Sequence, residues 1–127
     1  MIGFLLSVAD DPTPVVYVSG DTVWYDGTTE VSRRAQPRVV ILFAGAARVR
    51  EVGPAPLTLT ASETVEAARA FVEALIVPLH VEGWAHFSES RADIEHAFDA
   101  AGIADRLCWL PAGSPVELLS APRTAER

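Results

Sequence analysis

Apolar positions along the chain fall in short runs, separated by polar segments that carry Gly or Pro. Gly3 to Val8 is one such run. Val15-Val16-Tyr17-Val18 is a second, β-branched and aromatic, and both predict strands. Between them, Asp10-Asp11-Pro12-Thr13-Pro14 joins turn-initiating carboxylates to prolines that cannot extend a ladder. The pair is therefore expected to form a hairpin or neighbouring antiparallel strands. Val39 to Phe43 and Leu75 to Leu79 are continuous apolar runs, the pattern of strands covered on both faces. Thr28 or Thr29 can cap a short helix that reaches Arg34 and is stopped by Pro37. Thr60-Ala61-Ser62-Glu63 has the form of a capping box, opening a helix to about Ala74. Val65, Ala68, Phe71 or Val72, and Leu75 share one face of it. Ser88 or Ser90 can cap a third helix with the stripe Ile94, Ala97, Phe98 and Ala101, ended by Gly102. Leu107 to Leu110 and Val116 to Leu119 predict final short strands around Pro111-Ala112-Gly113, and Ala121 to Arg127 a frayed tail.

Composition narrows the picture. The chain has 127 residues and 50% of them are hydrophobic, against 21% charged, so a disordered chain is excluded. So apolar a small body suggests that part of its surface belongs to a partner. The charge sum, 10 − 17 = −7, comes with no basic stripe, which argues against a nucleic-acid binder. The longest apolar run, Val39 to Ala47, lies between Arg38 and Arg48 and is too short to span a bilayer. The first residues lack a charged segment and a cleavage site, so no signal peptide is expected, and a cytoplasmic location is. Cys108 is the single cysteine, expected as a buried small hydrophobe.

Two places combine a strand end with a ligand-capable side chain: Gly20-Asp21-Thr22 after the second run, and His80 after Leu75 to Leu79. In α/β sheets ligands collect outside the carboxyl ends of strands, so these residues can be neighbours in space. A carboxylate can bridge two metal ions and a neutral imidazole can complete a coordination sphere. Asp21 as a turn residue or helix cap, and His80 as a satisfied structural histidine, are the alternatives. His86 could add a third donor if its loop folds back, or form a pocket wall with Trp84 and Phe87. Glu82 suits either an acceptor for His80 or a loop salt bridge. Trp24 and Tyr25 can line a substrate pocket or pack in a core or interface. His96 falls on the solvent side of the third helix. No Gly-x-Gly-x-x-Gly or phosphate loop is present, which disfavours a nucleotide-binding domain.

Val16-Tyr17-Val18-Ser19-Gly20-Asp21-Thr22, Val39 to Ala46, Leu57 to Thr60, and Ile76-Val77-Pro78-Leu79-His80-Val81-Glu82-Gly83-Trp84-Ala85-His86-Phe87 together resemble the metallo-β-lactamase fold superfamily. The nearest branch by these motifs is the lactonase-like, UlaG-like metal-dependent hydrolases. The resemblance runs from about Gly3 to Leu118. It implies an α/β fold: half of an αββα sandwich, with a mixed β-sheet and helices on one face. The unit would occupy residues 1–120, with 121–127 as a flexible tail. Asp21 matches the family's metal-bridging carboxylate and His80 its last metal-binding histidine, and both would be catalytic. Trp24, Tyr25, Glu82, Trp84 and His86 would stand near the substrate. The family's His-x-His-x-Asp-His motif has no counterpart among His80, His86 and His96.

The resemblance therefore implies the C-terminal half of a hydrolase whose intact form holds a pair of divalent metals (zinc, manganese or iron). This chain alone would hold few or none, and would be inactive without the other half. The substrate would be a small ester, lactone or phosphodiester. An exposed sheet face of even ~600 Å² corresponds to about 15 kcal/mol. Val39, Ile41, Phe43 and Ile76 or Leu75 are expected uncovered on one side, to be met by the missing half or by a second copy. The alternative is a non-catalytic half domain acting as an assembly module.

Overall fold

The computed structural model describes residues 2–118. Strands β1 (Phe4–Val8), β2 (Asp11–Val18), β3 (Val39–Phe43) and β4 (Leu75–Leu79) form one mixed sheet in that order. Helices α1 (Asp26–Arg34), α2 (Ala61–Ala70) and α3 (Arg91–Ala100) follow β2, β3 and β4 in turn. The first pair is antiparallel, with Phe4 opposite Val18 and Leu6 opposite Val16. The next two pairs are parallel, with Val16 opposite Val39 and Ile41 opposite Val77.

The hairpin turns at Ala9-Asp10, earlier than the prolines suggested, because Val8 already pairs with Asp11. Pro12 and Pro14 are accommodated since β3 joins β2 only from Val16 onward. Pro78 sits within β4, and strand order explains why. Leu75 N donates to Arg38 O and Leu79 O accepts from Ala44 N, so these positions face β3. Pro78 lies out of phase with them, on the free edge of the sheet, where no ladder donor is needed.

One face of the sheet presents Tyr17, Val40, Leu42 and Ile76 to Leu59, Val65, Ala68, Phe71, Ile94 and Phe98. Tyr17 and Phe71 stack with ring centroids 5.4 Å apart. Between Phe71 and Val72 the core takes Phe71, and Val72 stays exposed. The caps at Thr60 and Ser90 form as expected: Glu63 N donates to Thr60 Oγ1 at 3.1 Å and Asp93 N to Ser90 Oγ at 3.3 Å. Gly102 follows α3 with φ +72°. α1 starts earlier than Thr28 or Thr29 would set it. Thr28 lies in its first turn, where its hydroxyl donates to Tyr25 O (2.8 Å) and accepts from Tyr25 N (2.9 Å).

Three expectations are corrected. Leu107 to Leu110 is not a strand: Leu107 makes an isolated bridge to Ile76, and Cys108 N donates to Ile76 O at 2.8 Å, after which Pro111 and Gly113 interrupt the chain. Val116 to Leu118 forms no strand either, while Leu119 and residues 121–127 lie outside the described residues. Cys108 is half-buried, on the irregular segment beyond the β4 edge. The sheet centre is also less bare than expected. Val39 is buried, Ile76 points into the helix-covered core, and Ile41, Phe43 and Leu75 are half-buried. Open apolar surface gathers instead on β1, where Phe4 is 57% and Val8 61% exposed, because only β2 pairs with that strand.

Arg106 locks the layers together. Its guanidinium donates to Ala68 O (2.7 Å), Ala74 O (3.0 and 3.1 Å) and Phe71 O, covering the carbonyl end of α2 and the turn into β4. A fork of donors at the carbonyl end of a helix satisfies acceptors that the helix itself leaves over. Arg106→Leu is expected to lower unfolding free energy by about 2–3 kcal/mol in urea denaturation. Arg106→Lys should recover only part of that loss.

The α3 cap carries a pH signature. Hydrogen bonds from Ser90, backbone first and side chain second, hold the Asp93 carboxyl below its ordinary pKa. Its contribution is therefore complete above the ordinary carboxylate range and is lost as pH falls through the depressed folded value. Asp93→Asn should flatten the acid limb of a stability-against-pH curve and leave its slope near neutrality unchanged.

Candidate metal centre at the carboxyl edge of the sheet

β2, β3 and β4 run parallel, so the segments leaving them gather at one edge. The exit from β2 is Ser19-Gly20-Asp21. Ser19 is buried; its hydroxyl donates to Gly20 O (2.9 Å) and accepts from Phe43 N (3.0 Å), tying the β2 exit to the end of β3. Gly20 has φ +65°, and a Cβ there would stand 2.9 Å from Ile2 O, so this tight exit needs glycine. The exit from β3 is Ala44-Gly45-Ala46, and that from β4 is His80, whose φ of +61° is left-handed.

These exits bring Asp21 and His80 together. Asp21 Oδ1 lies 3.3 Å from His80 Nδ1. Both atoms are shielded from solvent and neither has a hydrogen-bond partner, although the two side chains are 40% and 32% exposed. A buried carboxylate oxygen and imidazole nitrogen normally find a partner. Two such atoms converging without one are suited to a shared cation, which accepts oxygen and nitrogen donors alike. Among the described residues no group of three or more His, Cys, Asp or Glu side chains converges on a common point. The residues present thus fit a metal ion as a partial ligand set.

An aromatic cluster surrounds His80. Phe87 meets it edge-on with centroids 4.9 Å apart, Phe43 lies at 5.4 Å and His86 at 6.4 Å. Trp84 stands 6.0 Å from His86 and is 67% exposed. His86 is half-buried as a wall of this cluster, and Glu82 is exposed. Trp24 is elsewhere: its ring meets Phe71 at 6.5 Å in the core and its backbone N–H donates to Glu63 Oε1. Tyr25, exposed, lines a cavity of about 210 Å³ with Phe4, Leu5, Tyr17, Thr22 and Val31; neither Asp21 nor His80 lines it. His96 is exposed on α3.

Residues that sequence reasoning passed over hold this edge in shape. Thr58 is buried; its hydroxyl donates to Ala44 O and accepts from Ala47 N, both at 2.9 Å. Ala47 bridges Phe87, Arg48 N donates to His86 O (2.8 Å), and Ser88 donates through its hydroxyl to Ala46 O (2.6 Å). The strip after β3 therefore carries the loop after β4. The sequence signal for it was slight: Thr58 is one of several hydroxyls in Leu57-Thr58-Leu59-Thr60. Thr58→Val leaves two buried backbone groups unpaired and is expected to cost about 2–3 kcal/mol in thermal or urea unfolding.

With sheet order, helix placement and site edge in view, the class of protein is defined. The chain is an α/β unit with the fold of half of a metallo-β-lactamase-like domain, and its resemblance to that superfamily extends to solved structures. No protein-family model matches it. The curated relative UPF0173 protein YddR of Bacillus subtilis is 27% identical over 93 residues, covering 73% of this chain and 36% of its own length. The structure of an isothiocyanate hydrolase from Delia radicum gut bacteria matches with TM-score 0.69 and 27% identity, over 78% of this chain and 37% of that one. A possible metal-dependent hydrolase from Veillonella parvula matches with TM-score 0.76 and 25% identity, over 88% and 42%. Igni18, a metallo hydrolase from the archaeon Ignicoccus hospitalis, shares the fold with TM-score 0.64 at 19% identity, over 84% and 41%. The chain thus spans roughly two-fifths of the length of each of these four proteins. Among the described residues no helix is long and apolar enough to cross a membrane.

Proposed function

We propose that this chain contributes Asp21 and His80 to the divalent-metal site of a hydrolase and that the remaining donors come from outside residues 2–118. The observation that carries this reading is the pair of shielded, unpartnered atoms, Asp21 Oδ1 and His80 Nδ1, 3.3 Å apart at the carboxyl edge of the sheet. The names of the Veillonella and Ignicoccus neighbours support it, and so does the span of the match, 42% and 41% of those chains. Residues 1–120 would act as one half-domain, completed by the portion of the fold that the neighbours carry and this chain does not.

In that role Asp21 presents a carboxylate able to bridge two ions, and His80 presents an imidazole nitrogen to one of them. A zinc, manganese or iron ion held by these residues would supply Lewis acidity and would lower the pKa of a bound water. Phe43 and Phe87 keep the His80 ring from turning. Trp84 and His86 form an exposed aromatic wall beside it, suited to the organic part of a small ester, lactone or phosphodiester. A cytoplasmic setting accords with the free thiol of Cys108.

The second reading, an assembly module without catalysis, draws on β1: Ile2, Phe4, Leu6 and Val8 are exposed apolar residues at a strand edge, where another chain can add. Equilibrium dialysis of the purified chain against Zn²⁺ and Mn²⁺ separates the two. The metal reading expects binding by the wild type that is weakened at least ~10-fold in both Asp21→Ala and His80→Ala, since losing a ligand costs no less than losing an outer-shell partner. Equal uptake by all three proteins would favour the assembly module.

A further inference from the structure

The left-handed backbone at His80 needs an explanation that the ligand role alone does not supply. A non-glycine residue at φ +61° is held there against its own preference, and such strain persists only where neighbours impose it. One neighbour that can impose it is Gly45, at the exit from β3. A Cβ on Gly45 would stand 2.9 Å from His80 O, 3.0 Å from Val81 Cα and 3.2 Å from Phe87 Cδ1. The first two are backbone atoms, which cannot swing aside as a side-chain tip can. Gly45 itself has φ +86°. Its carbonyl also accepts from Ser88 N (3.0 Å) and Glu89 N (3.1 Å), so one glycine touches both ends of the segment that leaves β4 at His80 and returns at Glu89.

We infer that Gly45 is a positioning residue for His80: the missing side chain admits the His80–Val81 backbone against the β3 exit, and that seating turns the imidazole toward Asp21 and onto Phe87. This rests on the proposed metal reading for its purpose, but the geometry stands apart from it. Without the seating, His80 relaxes to an ordinary backbone conformation and the ring leaves Asp21, while the helix-covered core, built on other residues, stays intact.

The test is by NMR on the full chain. Gly45→Ala is expected to lose the ring-to-ring NOEs of His80 with Phe87 and Phe43 while keeping that of Tyr17 with Phe71. Gly53→Ala is the control: Gly53 also has positive φ (+133°), yet a Cβ there meets nothing within 4 Å, so its spectrum should keep all three. Undiminished His80 NOEs in Gly45→Ala would overturn the inference. If Gly45→Ala does not fold, the double variant Gly45→Ala with His80→Gly decides. Recovery of folding shows that the clash was with the constrained backbone at position 80, and failure to recover refutes it. Zn²⁺ added to the wild type in the same spectra tests the metal reading separately. An unmoved His80 resonance rules out a metal held by this chain alone and leaves the outcome for Gly45 standing.

Discussion

Asp21 Oδ1 and His80 Nδ1 are held 3.3 Å apart with no hydrogen bond between them and none to anything else among the described residues. Left alone, a carboxylate and an imidazole at that distance would reorient to bond or drift into water, since both side chains reach solvent. Their surroundings prevent this. Ser19 fastens the Asp21 exit to β3, Phe43 and Phe87 flank the His80 ring, and Thr58 ties Ala44 to Ala47 beneath it. The edge holds the two atoms in convergence, as the proposed metal role requires.

This rigidity is set on one side of the sheet and used at its end. The helices pack their buried residues against Tyr17, Val40, Leu42 and Ile76, and Arg106 seals the carbonyl end of α2 to the turn into β4. With β2, β3 and β4 parallel and supported in this way, their exits cannot move independently. A change in how one strand leaves the sheet is felt by the other two. The exposed apolar strand β1 shows the opposite condition: it has a partner along one edge only, and its side chains remain in water.

Much of the fold was legible from local chemistry. The capping residues Thr60 and Ser90, the β-branched strand runs and the stop at Gly102 act over a few residues, and the structure forms them where they stand. The places where local reading failed share one cause. Pro12 and Pro14 suggested a turn, but strand pairing placed the reversal at Ala9-Asp10 and left the prolines where β3 does not reach. Leu107 to Leu110 has strand composition, yet only Leu107 and Cys108 find a partner at the β4 edge.

What the sequence determined by itself is the set of elements and the two chemically able residues at strand ends, Asp21 and His80. Helix caps, strand propensity and the position of a polar side chain after an apolar run depend on contacts within a few residues. What only the tertiary structure decided is that those two side chains meet, that Trp24 and Tyr25 do not join them, and that Gly45, Thr58 and Ser19 hold the edge. Each of these depends on backbone atoms from different strands approaching within van der Waals or hydrogen-bond distance. No spacing along the chain encodes that approach, because it arises only once three parallel strands end side by side.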